Sequence, residues 1–294
     1  MIPETCFTPP PSAPQNWKLV LAYDGTDYRG WQVQPGQPTI QGELQAALGR
    51  VLGEAPLPQG SGRTDAGVHA LAQVASCALQ ARIPAESLQR ALNRTLPAAI
   101  RVIEANVVPA DFHARHSTVA KTYEYRVFLE RDGLAGRKIC TPFLARFAYA
   151  YPWPLEIDRL QEAARLFLGK HDFTSFAATG LDEDDAEEAA GAPVDDAFAW
   201  RRTAVRAISA SQWERRDTED GAVLVYRVRG NGFLHHMVRN LVGTMLDVGR
   251  GYTNASEVPA MIEAKARAAA GPTAPARGLF LHSVEYAGES AAFS

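Results

Sequence analysis

The sequence predicts an α+β protein, and three observations lead to that class. Strand-like alternation of apolar and polar residues recurs along the chain, helical spacing of apolar residues lies between these runs, and one pair of runs is typical of an antiparallel hairpin. The chain has 294 residues, of which 46% are hydrophobic, so it can bury a core as one large domain or two small ones. These values exclude a disulfide-stabilised mini-protein and a wholly disordered chain.

The first half of the chain predicts the order β-α-β-α-β. Residues 17–23 alternate as a strand, and a turn at Asp24 and Gly25 ends it. Thr39 is a candidate N-cap for a helix whose apolar residues recur up to position 51, before Gly53. A glycine-rich loop at 60–67 precedes the remaining elements, which are a strand at 74–79, a helix opened by Pro84 and a strand near 101–108.

The second half predicts the order β-α-β-β-α-β, which is that of a ferredoxin-like unit. Its first strand, 121–129, places Tyr123, Tyr125 and Val127 on one face. The other predicted elements are a helix at 155–168, a hairpin of strands 203–214 and 221–229 around a polar turn at 215–220, helices at 233–248 and 257–270, and a strand at 279–286.

The composition also suggests a division of the chain and a compartment. We expect a flexible leader at 1–16, an N-terminal half at 17–112, a C-terminal half at 113–286 and a tail at 287–294. The leader has neither a basic segment nor an apolar core of the kind that directs export, and no run is long enough to span a membrane. The three cysteines lie far apart without a CxxC pair, so a reducing cytoplasm is the expected location.

The net charge of −3 hides an uneven distribution. Eight acidic and no basic residues lie between positions 180 and 200, whereas the other 273 residues carry 25 acidic and 30 basic residues. A mildly basic body therefore carries one acidic segment. Segments of this composition are usually solvated and mobile.

The loop GSGRTDAGVH at 60–69 is the first candidate for chemistry. Glycines permit tight turns and close approaches, so Asp65 can be presented to a ligand, and Arg63 is close enough in sequence to hold its carboxylate ionised and oriented. The spacing of a phosphate-binding P-loop is absent. From composition alone, an Asx-turn at Asp65 with Arg63 as a surface partner is the more common alternative.

The predicted helix at 233–248 has an apolar side and a polar side. His235, His236, Arg239 and Asn240 share the polar side with Gly243. We expect no metal site there, because adjacent helical residues point in different directions and no third ligand has a useful spacing.

Several segments together carry a resemblance to a known family. The chain resembles the tRNA pseudouridine synthase A (TruA) family in YDGTDYRGWQVQ at 23–34, GSGRTDAGVHALAQV at 60–74 and HARHSTVAKTYEYRV at 113–127. The match continues through GKHDFTSF at 169–176, RGNGFLHHMVRNLVGTMLDVGRG at 229–251 and APARGLFL at 274–281. The resemblance implies two ferredoxin-like halves that form one continuous antiparallel sheet, with helices on one side and a central active-site cleft.

The resemblance also implies an activity and the residues that perform it. In this family the base of a uridine is detached from its ribose at N1 and rejoined through C5, without a cofactor or metal. By position, Asp65 is the catalytic carboxylate, Arg63 and Arg239 orient it, Tyr123 lies against the target base, and Leu279 packs near it. The implied substrate is uridine at positions thirty-eight to forty of the tRNA anticodon stem-loop, bound by a homodimer. Tyr123 and Leu279 also fit ordinary core packing of strand residues.

Contacts with RNA are expected at basic residues near these segments. The candidates are Arg29, His113, Arg115, His116, Lys121, Lys170, His171, Arg201 and Arg202, each of which also fits a solvated surface charge. The acidic segment 180–200 departs from the family pattern, and we expect it to point away from tRNA or to be disordered. Two other classes stay open, a non-catalytic RNA-binding or RNA-chaperone protein and a sugar hydrolase that uses one carboxylate.

Overall fold

The computed structural model describes residues 13–130, 138–178 and 203–288. The predicted leader up to residue 12, the acidic segment 180–200 and the last six residues lie outside this part of the chain. Within it, the strands are β1 (Gln15–Tyr23), β2 (Gln59–Gly60), β3 (His69–Leu79), β4 (Ile100–Val108), β5 (Thr118–Leu129), β6 (Tyr149–Tyr151), β7 (Gly169–Asp172), β8 (Val205–Thr218), β9 (Gly221–Gly230) and β10 (Leu279–Tyr286). The helices are α1 (Ile40–Leu52), α2 (Ala85–Thr95), α3 (Pro142–Ala145), α4 (Ile157–Leu166), α5 (Met237–Gly249) and α6 (Val258–Glu263).

These strands form one sheet in the order β4-β1-β3-β10-β5-β9-β8-β7, with β2 paired to β3 and β6 paired to β5. The predicted α+β class and the continuous sheet are confirmed. The sheet is mostly antiparallel, but β10 runs parallel to β3 and β6 runs parallel to β5. The two halves join at the β3–β10 pair, where Phe280 is opposite His69 and Leu281 is opposite Ala70.

Both halves have the same strand order. In the first half, β4-β1-β3-β2 places the fourth strand beside the first, followed by the third and the second. In the second half, β10-β5-β9-β8 repeats this arrangement. The prediction of three strands for the first half missed β2, because two residues are too few to show an alternating pattern.

The largest core cluster lies on one face of this sheet. The alternate residues Trp17, Leu19 and Leu21 of β1 are fully buried in the same cluster as Leu44 of α1 and Leu88 of α2. In the second half, the cluster contains Tyr123, Tyr125, Leu160 of α4, Leu224 and Leu241 of α5. Since one cluster joins both halves, α1, α2, α4 and α5 pack against the same face, as predicted.

The ends of α1 follow their predicted signals. The Thr39 hydroxyl accepts a hydrogen bond from the Gly42 N–H, and Gly53 ends the helix in a left-handed conformation, with φ 73°.

Three other boundaries differ from prediction. β3 begins at His69 rather than 74, and the hairpin strands extend until Thr218 is opposite Gly221, so most of the predicted polar turn is strand. The predicted helix 257–270 is confined to α6 and short 3-10 turns, with Lys265 at φ 48°.

The start of α5 also differs from prediction. The helix begins at Met237 rather than at 233, because His236 adopts φ 59° and ψ −1° and cannot continue a right-handed helix. Residues 233–236 are therefore a connecting segment. None of the helices in the described ranges is both long and apolar enough to cross a lipid bilayer.

Candidate active site

The loop between β2 and β3 carries Asp65 and is held by the segment that follows β1. The Trp31 N–H donates to the Thr64 carbonyl at 3.0 Å, and the Gly67 N–H donates to the Tyr28 carbonyl at 3.2 Å. Gly30 has φ 91°, and a Cβ there would lie 2.4 Å from the Thr64 carbonyl oxygen. Only glycine permits this approach, so the two motif segments fix each other's backbone.

A second set of contacts fixes the start of the same loop. The Gln73 side chain is fully buried, accepts from the Ser61 hydroxyl at 2.7 Å and donates to the Gly62 carbonyl at 2.9 Å. Lys121 Nζ donates to the Ser61 carbonyl at 2.5 Å. Lys121 was predicted as an RNA contact, and the structure places its ammonium against the loop that carries Asp65. Sequence reasoning missed Gln73, since a polar residue in an apolar strand was the only signal.

The Asp65 carboxylate faces α5 and the segment before it, not the backbone of its own turn. Oδ2 lies 2.9 Å from Arg239 Nη1 and 3.4 Å from His236 Nε2, while Oδ1 lies 3.4 Å from His235 Nε2. Burial raises the pKa of Asp65, but the hydrogen bond from His235, the charge of His236 and the Arg239 guanidinium outweigh it and lower the pKa below its usual range. The group is therefore held ionised, and its side chain remains 18% exposed.

Arg239 is itself oriented by the backbone. Its Nε donates to the Ala274 carbonyl at 2.8 Å, and the Ala274 N–H donates to the Arg239 carbonyl at 3.1 Å. The guanidinium can therefore reach Asp65 from a fixed position. The expected pair between the first-half carboxylate and the helix arginine is present across 174 residues of sequence. Arg63 is half-buried on the same loop as Asp65, and its orienting role stays a prediction.

The structure contradicts the argument that His235 and His236 point in different directions. Neither lies within α5, their rings are 4.0 Å apart at 38°, and both present Nε2 to Asp65. The potential ligand atoms of the three residues lie within 4.8 Å of one another, so the predicted absence of a third ligand was wrong. The Arg239 guanidinium on Oδ2 supplies a different argument against a metal, because a divalent cation there would be repelled.

Tyr123, on β5, lies near enough to Asp65 for the carboxylate charge to act on its phenol. Its side chain is 8% exposed, and its ring and that of Phe233 form a T-shaped pair at a centroid distance of 5.0 Å. Burial is the main cause that raises the pKa of Tyr123, and the negative charges of an ionised Tyr23 and of Asp65 add to it. The phenol therefore keeps its proton. Leu279 is buried at the start of β10 opposite Tyr125, whereas Leu281 is opposite Tyr123.

His69 connects three of the motif segments behind the site. Its Nδ1 accepts from the Gly25 N–H at 3.1 Å, and its Nε2 lies 3.2 Å from the Arg277 carbonyl, to which it donates. The ring stacks on Phe280 at 4.7 Å. Burial lowers the pKa of His69, so a neutral imidazole bridges the two halves where β3 meets β10. Sequence reasoning gave this residue no role.

The other predicted RNA contacts are spread over the surface. Arg29 and Lys170 are exposed, and His171 donates to the Leu168 carbonyl at 2.8 Å. His113 Nδ1 accepts from the N–H groups of Arg115 and His116, so this imidazole fixes its own turn. Arg201 and Arg202 lie outside the described residues. RNA binding by these residues stays a prediction.

Comparison with known proteins adds independent findings. A family model described as tRNA pseudouridine synthase matches residues 19–117 and 163–287. A protein of Solibacter usitatus named tRNA pseudouridine synthase A is 48% identical over 270 residues, which cover 92% of this chain and 98% of the relative. Relatives with the same name from Moorella thermoacetica and Bacillus pumilus are 42% and 41% identical, with the same coverage.

Proposed function

This chain belongs to the tRNA pseudouridine synthase family, and we propose that it isomerises uridine to pseudouridine at positions thirty-eight to forty of the tRNA anticodon stem-loop, with Asp65 as the catalytic carboxylate. The observation that carries the proposal is the Arg239–Asp65 ion pair at 2.9 Å, on a loop fixed from two sides. In this proposal the halves 17–112 and 113–286 supply the carboxylate and the arginine, respectively.

The geometry supports a reaction at the ribose or the ring. An ionised carboxylate attacks an electron-poor carbon or removes a sugar proton, and both steps require that its charge be held in a defined position. Arg239 provides that position. Because Asp65 is low in pKa, it stays ionised throughout the neutral range, so no separate base has to activate it.

Tyr123 and its neighbours support recognition of a base that has left the helical stack. An unstacked pyrimidine needs a flat apolar surface, and the Tyr123 ring is fixed from the side by Phe233. Leu279 and Leu281 extend the buried surface around it. We propose that the base lies against this ring while its ribose faces Asp65, with Arg63 beside the carboxylate.

The partners follow from the family and stay part of the proposal. tRNA is the substrate named for the relatives, and a homodimer would let one tRNA contact both subunits. Recognition by shape rather than by base identity would explain action at neighbouring positions. The expected compartment is the cytoplasm, which agrees with the free thiols of Cys77 and Cys140.

The test is incubation with unmodified tRNA, followed by mapping of pseudouridine. Asp65→Asn should keep tRNA binding and lower turnover by about a thousandfold or more. Asp217→Asn, which changes an exposed carboxylate on the β8–β9 hairpin, is the matched control. Equal turnover in both variants would refute the role of Asp65, absence of any product from the wild type would favour the RNA-binding class, and release of free uracil would indicate a hydrolase.

A further inference from the structure

The segment 233–236 contacts both the Tyr123 ring and the Asp65 carboxylate. Phe233 contacts Tyr123, and two and three residues later His235 and His236 present their Nε2 atoms to Asp65. The His235 carbonyl accepts from the Ala178 N–H at 3.0 Å, which anchors the segment to the turn after β7. In the proposed pose, in which a pyrimidine rests on Tyr123 with its ribose at Asp65, the two imidazoles lie beside the reacting atoms. Their side chains are 41% and 31% exposed, so a ligand can reach them.

The backbone is strained to hold this arrangement. His236 has φ 59° and ψ −1°, a conformation that residues other than glycine rarely adopt. It is fixed on both sides, since the Met237 N–H donates to the Leu234 carbonyl and the Asn240 N–H donates to the His236 carbonyl, each at 3.0 Å. Strain of this kind persists only where the surroundings enforce it, and it is concentrated at functional sites.

The reaction requires a proton carrier. Uridine loses its C5 proton and pseudouridine gains a proton on N1, so one proton moves between two ring atoms with no net change. The proposed function already commits the Asp65 carboxylate to its own step at the ribose or the ring, and Tyr123 is a poor candidate because its raised pKa keeps the phenol protonated. Arg239 stays protonated throughout. Histidine is the side chain that gains and loses a proton near neutral pH.

We propose that His235 and His236 are catalytic residues that carry the proton of uracil from C5 to N1. The inference rests on the proposed isomerisation. After the N1–C1′ bond has broken and C5 has bonded to C1′, a neutral imidazole takes the C5 proton and the C–H electron pair returns to the ring. The imidazolium then gives its proton to N1, which holds the electron pair of the broken bond. Both imidazoles end in the state in which they began.

The charges around the pair favour this role. Two cationic rings at 4.0 Å would repel each other, and Arg239 adds a third positive group on the same carboxylate. This repulsion opposes simultaneous protonation of both rings. When one of them is protonated, Asp65 stabilises it, since each carboxylate oxygen lies 3.4 Å from one ring.

The test compares tRNA that carries ordinary or C5-deuterated uridine in single-turnover reactions. The variants are His235→Asn, His236→Asn and the double variant, because asparagine tolerates the left-handed backbone and carries no proton near neutral pH. His282→Asn, on β10 outside the site, is the control. The double variant should react at least about 100-fold more slowly than wild type. It should bind tRNA with unchanged Kd and show a larger C5 deuterium isotope effect.

Two results would overturn the proposal. One is a double variant that reacts at the control's rate, and the other is a slower variant whose isotope effect is no larger than that of wild type, which would mean that the rings only position Asp65. If thermal melting shows that the double variant does not fold, His235→Asn decides alone, because its backbone lacks the strain of His236. Failure of the wild type to form pseudouridine would instead refute the proposed function.

Discussion

Replacing Arg239 by glutamine tests how much the guanidinium contributes to the ionised state of Asp65. The pair is joined by a 2.9 Å hydrogen bond, and both side chains are largely buried, at 15% and 18% exposure. A hydrogen bond to a charged group contributes about 1.5–3 kcal/mol. Since about 1.4 kcal/mol corresponds to one pKa unit, the loss should raise the pKa of Asp65 by about 1 to 2 units.

The direction of the pH effect follows from the required charge state. Asp65 must be ionised to react, so activity is lost as the pH falls through its pKa. In the wild type this loss of activity, the acid limb of the pH profile, lies below the usual range of aspartate pKa values, because the pKa of Asp65 is lowered. In Arg239→Gln, the limb of kcat/KM should move to higher pH by the same 1 to 2 units. At neutral pH, weaker orientation of the carboxylate should lower kcat by about 10- to 150-fold, the rate equivalent of that energy.

The assay is pseudouridine formation on tRNA under saturating and limiting substrate, measured from acidic to neutral pH. Arg250→Gln is the control, because it removes a similar 2.9 Å arginine–aspartate pair, with Asp247, at the other end of α5. This control should lower the melting temperature without changing the pH profile. If Arg239→Gln kept the wild-type acid limb, or if both variants shifted it equally, the electrostatic account of Asp65 would be wrong.

Four further predictions concern the surroundings of the site. Lys121→Met should slow the reaction without changing the salt dependence of tRNA binding, because the lysine contacts the loop that carries Asp65. If Lys121 instead contacted a phosphate, its loss would reduce the slope of the logarithm of the tRNA-binding constant against the logarithm of the salt concentration by about 0.7 to 0.9. Gly30→Ala should lower both kcat and the melting temperature, because the new Cβ would lie 2.4 Å from the Thr64 carbonyl oxygen. Gly36→Ala is the control, since Gly36 is also at positive φ but has open space around it, and it should lower only the melting temperature slightly. Equal kcat in the two variants would contradict the packing argument. Treatment with a chelator should leave turnover unchanged, and a loss restored by Zn²⁺ would make Asp65, His235 and His236 a metal site. Deletion of residues 182–196, which lie outside the described part of the chain, should leave tRNA binding and activity intact, and a loss of binding would assign the acidic segment a role in recognition.

Sequence reasoning was most successful where a local signal determines the structure. Thr39 and Gly53 delimit α1 because capping and left-handed termination depend on a few adjacent residues. The start of α5 was misplaced because periodicity continues through Phe233 and Leu234, and no local pattern reveals that His236 is held left-handed by its surroundings. In the hairpin, Arg215 and Arg216 have polar turn composition, but they pair with Leu224 and Val223 across the ladder, a long-range contact that local composition does not reveal.

The site itself was only partly accessible from the sequence. The resemblance implied a contact between Asp65 and Arg239, which the structure contains across 174 residues of sequence, and their roles in catalysis stay a prediction. The contacts of Lys121 and Gln73 with the loop were missed, because a lysine near an RNA motif and a glutamine in a strand carry no information about their partners. The histidine pair was misjudged for the same reason as the helix start, since its geometry depends on one backbone conformation.

The position of the site explains why its parts come from distant segments. Asp65 lies four residues before His69, where β3 joins β10, and Arg239 is tied to Ala274, which lies just before β10 begins at Leu279. The short parallel β3–β10 contact is therefore the element that brings carboxylate and guanidinium together. Assembly of the halves takes both charges largely out of water, and an arrangement that buried one of them without the other would cost several kcal/mol, so formation of the ion pair and closure of the sheet depend on each other. The halves thus have an electrostatic reason, as well as a common core, to assemble in one arrangement.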